Sequence, residues 1–183
     1  MPAPGQPRGR VEVHDLGLAE ARAKLAQLGR QRVTVGFQGA RGSAKHPNAD
    51  TSIAQVAAWQ EFGTPGSDDR TYDKIRTRIP SRPFVRTGLA QAATEIRSAI
   101  KRATSGVIDG RHDVDEAQDL VGERMVEAVQ QAILDAHSWA TPLADATVAR
   151  KGHDDPLIES GAMYDAVSYA IRDGDSITRE GKS

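Results

Sequence analysis

Apolar positions recur at helical spacing in four stretches of the chain and alternate in two. Leu18, Ala21, Leu25 and Leu28 predict a first helix, with Asp15 as its cap and Gly29 as its stop. Val33, Val35 and Phe37 alternate in RVTVGF and predict a short strand. Residues 38–50, QGARGSAKHPNAD, read as loop from their turn formers. Ile53, Val56 and Ala57 then mark a helix whose Ser52 and Gln55 have capping-box spacing and whose natural stop is Gly63.

Two longer helices follow. Thr87 is expected to cap the first, which carries Leu89, Ala92, Ile96, Ala99 and Ala103 inward. Asp113 and Glu116 form a capping box for the second, with Leu120, Val121, Met125, Ala128, Ala132 and Ile133 on its inner face. SGVIDGRHD connects them, and LADATVAR fits a shorter helix. Near the end, Val167, Tyr169 and Ile171 alternate, a DG turn signal follows, and a weaker strand around Ile177 completes a hairpin. The pattern predicts an α+β domain. A small antiparallel sheet, made from the early strand and the C-terminal hairpin, packs against two long helices. Residues 1–14 read as a flexible arm before a single domain spanning 15–180, in which 64–78 is a polar excursion held extended at its far end by Pro80 and Pro83.

Composition changes this picture in two ways. Aromatics are only 4% of the 183 residues, so the core must be built from Ala, Val, Ile and Leu and invites completion by a partner subunit. The net charge of −1 hides an asymmetry: residues 1–105 carry 17 Lys/Arg against 9 Asp/Glu, and residues 106–183 carry 7 against 16. Such opposed halves suit a nucleic-acid face or subunits stacked basic edge to acidic edge, and the near-zero total favours the second. There is no cysteine, which excludes disulfides and thiolate metal sites. No apolar run approaches the roughly 18 residues of a membrane span, and the start lacks the apolar core of a signal peptide, so a cytoplasmic origin is expected.

The chemical candidates are weak one by one. The five histidines lie in five segments without the spacing of a helical zinc site. No nucleophile signature is present. GARG, with Gly39 and Gly42, lacks the spacing of a phosphate loop and reads better as a flexible loop. The polar stretch ARKGHDDPLIESG looks like a catalytic list, yet Asp154, Asp155 and Glu159 fail the spacing of a calcium loop. It parses instead as a helix end with Arg150 and Lys151, a stop at Gly152, a turn closed by Pro156, an apolar anchor of Leu157 and Ile158, and a new cap at Ser160 before Gly161. The expected cofactor and metal content is none, and no enzyme activity is expected. The basic run from Arg70 to Arg86, with Tyr72 and Phe84 nearby, is the one segment suited to phosphate contacts; its rival reading is an arm docked on an acidic neighbour.

Three segments are familiar as a set: DTSIAQVAAWQEFGT (50–64), IPSRPFVRTGL (79–89) and TPLADATVARKGHDDPLIESGAMYDAVSYAIR (141–172). Together they resemble the neck and tail-completion (head–tail joining) proteins of long-tailed bacteriophages and Mu-like prophages. In that family a helix ending W-x-E-F-G-T precedes I-P-x-R-P-F, and the chain closes with R-K-G…P-L-I-x-[ST]-G, a helix and a strand. Residues 65–78 depart from the pattern as an insertion. The resemblance implies a structural virion protein rather than an enzyme. It implies a homo-oligomeric ring, hexameric or dodecameric, at the head–tail junction, assembled in the host cytoplasm. The implied partners are connector or head-completion proteins on one side and tail-tube or terminator proteins on the other, with DNA passing through without sequence-specific contact and no membrane involved. Trp59, Phe62, Arg76, Arg78, Arg82, Phe84 and Arg86 are the expected interface residues. Arg150, Lys151, Gly152, Pro156, Leu157, Ile158, Ser160 and Gly161 mark the family loop. The alternatives from other classes are a small nucleic-acid-binding accessory protein using residues 70–86, and a hydrolase with an unrecognised site.

Overall fold

The computed structural model describes residues 17–64 and 79–181. Helices α1 (Leu18–Arg30) and α2 (Gly39–Ser43) flank strand β1 (Gln31–Gly36), and α3 (Ile53–Phe62) follows. Then come α4 (Phe84–Gln91), α5 (Ala93–Ile108), α6 (Val114–Leu134), α7 (Ala136–Trp139), α8 (Asp145–Lys151) and α9 (Ala162–Ala166). The hairpin of β2 (Ser168–Asp173) and β3 (Ser176–Gly181) closes the fold. The expected α+β architecture is the observed one: an antiparallel sheet ordered β1-β2-β3, packed on helices.

The alternating residues explain the sheet. Val33 pairs with Ile171 and Val35 with Tyr169, which sets four apolar side chains on the face that meets α6. Gly174, at φ 59°, takes the left-handed position of the two-residue turn between β2 and β3.

The 21-residue α6 is the spine. Its capping box forms as expected: the Asp113 side chain accepts the Glu116 N–H at 2.8 Å, and the Glu116 carboxylate accepts the Asp113 N–H at 3.0 Å. α4 and α5 run back along it. Phe84 shares the main core with Val129 and Ile133, Gly88 abuts Ala128, and Ala103 and Val107 meet Ala117 and Val114 in a second cluster. Small residues at these crossings let the backbones approach closely, which is how a core with few aromatics is filled. The Phe37 and Phe84 rings meet edge to face at 5.8 Å.

Several local expectations need correction. The long helix starts at Phe84, not at Thr87, and breaks at Ala92; no side chain of its own segment caps it. Leu120 points outward at 43% exposure, because Ala117, Val126 and Val129 form the buried face instead. Gly29 does not stop α1, which continues through Arg30. Residues 39–43 of the expected loop form α2, where Gly42 packs against the Phe37 backbone too closely for any Cβ. Ser105–Ile108 of the expected connector belong to α5. The Asp15 cap lies outside the described residues.

Candidate interaction site

The three segments that carry the resemblance fold onto one another. At the end of α3, Gly63 turns with φ 74°, and Thr64 pairs with Ile79: its N–H donates to the Ile79 carbonyl at 2.9 Å, and its Oγ1 accepts the Ile79 N–H at 3.0 Å. No side chain fits at position 63, since a Cβ would lie 2.9 Å from both the Ile79 oxygen and the Ser81 nitrogen. Ser81 Oγ donates to the Glu61 carbonyl at 2.8 Å.

Glu61 is the buried charge of this junction, at 5% exposure. Its Oε2 accepts the Val85 N–H at 2.9 Å, and its Oε1 accepts Arg86 Nε at 2.9 Å. A carboxylate here satisfies an orphan donor in the first turn of α4 and meets the positive end of its dipole. The missing local cap of α4 is thus supplied from α3.

Arg82 is buried as well, at 4% exposure, and among the described residues none of its hydrogen-bond partners is a carboxylate. Its guanidinium donates to the Thr141 carbonyl at 2.9 Å, to Gln60 Oε1 at 3.0 Å and to the Pro142 carbonyl at 3.3 Å. Burial lowers its pKa. These bonds tie the second resemblance segment to the start of the third.

The loop after α8 is organised by Lys151, whose Nζ donates to the Asp155 and Ile158 carbonyls at 2.7 and 2.6 Å. Burial pushes its pKa down, while Glu159 and Asp155 oppose that shift. Gly152 ends α8 at φ 81°, with Arg150 and Lys151 in the last turn, as expected. Pro156 and Leu157 are buried and Ile158 packs against the core, as the anchor reading requires. The cap is displaced by one residue: Gly161, at φ 76°, occupies it, and Ser160 Oγ only approaches the Ala162 N–H at 3.4 Å. His153 Nδ1 stands 3.2 Å from Asp155 Oδ2 without the geometry of a hydrogen bond. A cavity of about 50 Å³ beside Lys151, His46 and Gln60 has room for little more than water. Among the described residues, no cluster of three His, Asp or Glu side chains is placed to hold a metal, and no helix is long and apolar enough to cross a membrane.

The candidate interface residues therefore divide. Phe84 is fully buried and Arg82 nearly so; both are interior, not contact surface. Trp59 is half-buried. Phe62 is 71% exposed, with the Arg86 guanidinium carbon 5.5 Å from its ring centroid. Arg76 and Arg78 lie outside the described residues. Of the basic segment 70–86, the described cations are thus committed, Arg82 to carbonyls and Arg86 to Glu61. Glu61 carries the junction although no sequence motif marks it as a site residue; its signal is a lone acid just before the F-G-T stop of an otherwise uncharged helix.

Comparison with protein-family models, with curated proteins and with solved structures found no match to this chain.

Proposed function

We propose that this protein is a structural subunit of a phage neck, forming a ring at the head–tail junction that joins the connector to the tail and leaves a lumen for DNA. One observation carries the reading. The three resemblance segments, spread between residues 50 and 172, meet around Glu61 and Arg82, and Lys151 lines the same small cavity as Gln60. Such convergence is expected if the resemblance concerns a folded unit, and not if it concerns three unrelated strings. The opposed charge of the two halves of the chain and the exposed Phe62 fit a subunit completed by its neighbours. In this reading Glu61, Arg82 and Lys151 are scaffold: they fix the shape of the end of α3 and of the loop after α8.

Light scattering on the purified chain and co-sedimentation with virions test the proposal together. A discrete high-order oligomer that sediments with particles is the expected result. A strict monomer that binds duplex DNA with a steep salt dependence would sink it in favour of the nucleic-acid reading.

A further inference from the structure

The cations among the described residues fall into two groups. Most are engaged: Arg82, Lys151 and Arg172 donate to carbonyls, and Arg86, Arg124 and Arg179 meet Glu61, Glu127 and Asp119. Arg22 and Arg30 in α1, and Arg97, Lys101 and Arg102 in α5, are exposed and make no hydrogen bond or ion pair among the described residues. Outside these two helices, only Arg150 among the described residues is in the same state.

These cations sit on adjoining helices. Leu28 of α1 packs against the cluster that holds Ala103 and Val107 of α5, so the two axes lie about 8–10 Å apart. Together the helices carry six Lys/Arg and two acids. Glu20 is already paired with Lys24 at 2.8 Å. Glu95, two turns from Arg102 and so on its side of α5, lines a groove with Arg124 of α6. That leaves Arg22, Arg30, Arg97 and Lys101, and no acid stands three or four residues from any of them. Arg97 and Lys101 are themselves neighbours, at a spacing where like charges disfavour the helix. Nothing among the described residues offsets that repulsion.

We propose that the α1–α5 face binds the phosphate backbone of duplex DNA without reading its sequence, through Arg22, Arg30, Arg97 and Lys101. Charge complementarity names the partner. The two strands of a duplex together place a negative charge about every 1.7 Å along the axis, so phosphates meet these cations wherever they fall along the helices. An acidic protein would have to set a carboxylate opposite each one. Three of the four are arginines, whose planar fork takes two phosphate oxygens at once. Neither helix contains an aromatic residue, so the face has no platform on which the bases of a single strand could stack. The proposal goes beyond the assembly reading and does not depend on it, since a single copy carries the whole face.

Fluorescence anisotropy with a short random-sequence duplex, repeated across salt concentrations, tests the face, while light scattering on the same samples follows the oligomeric state. The wild type should bind with a slope of log K against log salt of about −3.6, four contacts at about −0.9 each. A chain carrying Arg22→Gln, Arg30→Gln, Arg97→Gln and Lys101→Gln should keep its circular dichroism spectrum, bind at least about tenfold more weakly at low salt and lose most of the slope. Arg150→Gln, outside the face, should change neither. A wild type that ignores the duplex at low salt overturns the proposal. So does a fourfold variant with wild-type affinity and slope, which would move the contact to cations elsewhere in the chain. Equal affinity for poly-glutamate overturns it in favour of an acidic protein partner. An oligomer without DNA binding removes this face and leaves the assembly reading standing; a DNA-binding monomer that loses binding in the fourfold variant does the reverse.

Discussion

The ring of Tyr169, in the central strand, lies directly against Gly122 in α6. A Cβ at position 122 would fall inside the 3.0 Å that real Cβ atoms keep from their neighbours. A Cβ at Gly181 in β3 would meet the same ring closer still, so the ring is flanked by glycine on both sides and has little room to yield. Gly122→Ala is therefore expected to destabilise. A helix-interior Gly→Ala change on an open surface gains up to about 1 kcal/mol, but overpacking costs about 1–3 kcal/mol and should win here. Gly29→Ala, where nothing lies within 4 Å of an added Cβ, should have the opposite sign and gain about 0.4–1 kcal/mol. Urea melts of the two variants check both signs.

Glu61 tests the junction. Glu61→Ala leaves the Val85 N–H without its acceptor and releases Arg86. Breaking a buried pair costs about 3–5 kcal/mol, and Arg86, 64% exposed, can return to water, so a loss of about 3 kcal/mol is expected. Glu61→Gln keeps an acceptor for Val85 and should cost less. Chemical denaturation measures the order of the two variants; equal stability of Glu61→Ala and wild type would remove Glu61 as the cap of α4.

These two sites show what was legible in the sequence. Alternation in RVTVGF and in Val167–Ile171 gave the sheet, because period-two patterning depends only on neighbours along the chain. Asp113 and Glu116 marked the start of α6 for the same reason, both partners lying within one turn. The start of α4 was missed because its cap comes from Glu61, 23 residues earlier than Phe84. A local rule searching for a hydroxyl near the helix found Thr87, which sits inside it. Leu120 was misplaced because hydrophobicity outranked size: the face that packs is the one whose Gly122 admits the Tyr169 ring. The loop after α8 was parsed correctly as a shaped connection, yet the reach of Lys151 to two carbonyls depends on a chain reversal that no residue pattern spells out.

That reach makes Lys151 the residue to change in the loop. Lys151→Met keeps most of the apolar stem but strands the Asp155 and Ile158 carbonyls. A loss of about 1–3 kcal/mol is expected, with faster amide exchange across residues 153–160. His153→Ala removes a part-exposed ring whose Nδ1 makes no hydrogen bond among the described residues, and the variant should stay within about 0.5 kcal/mol of wild type. Hydrogen exchange separates the two. Equal protection of the loop in Lys151→Met and wild type would show that Pro156 and Leu157 anchor it unaided.

Alkaline pH gives a test with a defined sign. Tyr169 Oη donates to Asp119 Oδ1 at 2.6 Å. Burial first, and then this bond and the Asp119 charge, raise its pKa well above the ordinary 10.0. The folded protein thus keeps the phenol protonated while the unfolded chain begins to ionise. The resulting stability is fully present below pH 10 and is lost as pH rises above it, at about 1.4 kcal/mol per pH unit. Tyr169→Phe removes this term. At neutral pH the variant should be about 1.5 kcal/mol less stable, the low end for a hydrogen bond to a charged group, because Arg179 still holds Asp119. Above pH 10 the gap should close, and the two stability curves should cross about one pH unit higher. The shift at Lys151 is common to both proteins and cancels in the difference. Urea melts at pH 8, 10 and 11 measure it, and a gap that stays constant across that range would mean that Tyr169 ionises equally easily in the folded and unfolded chains.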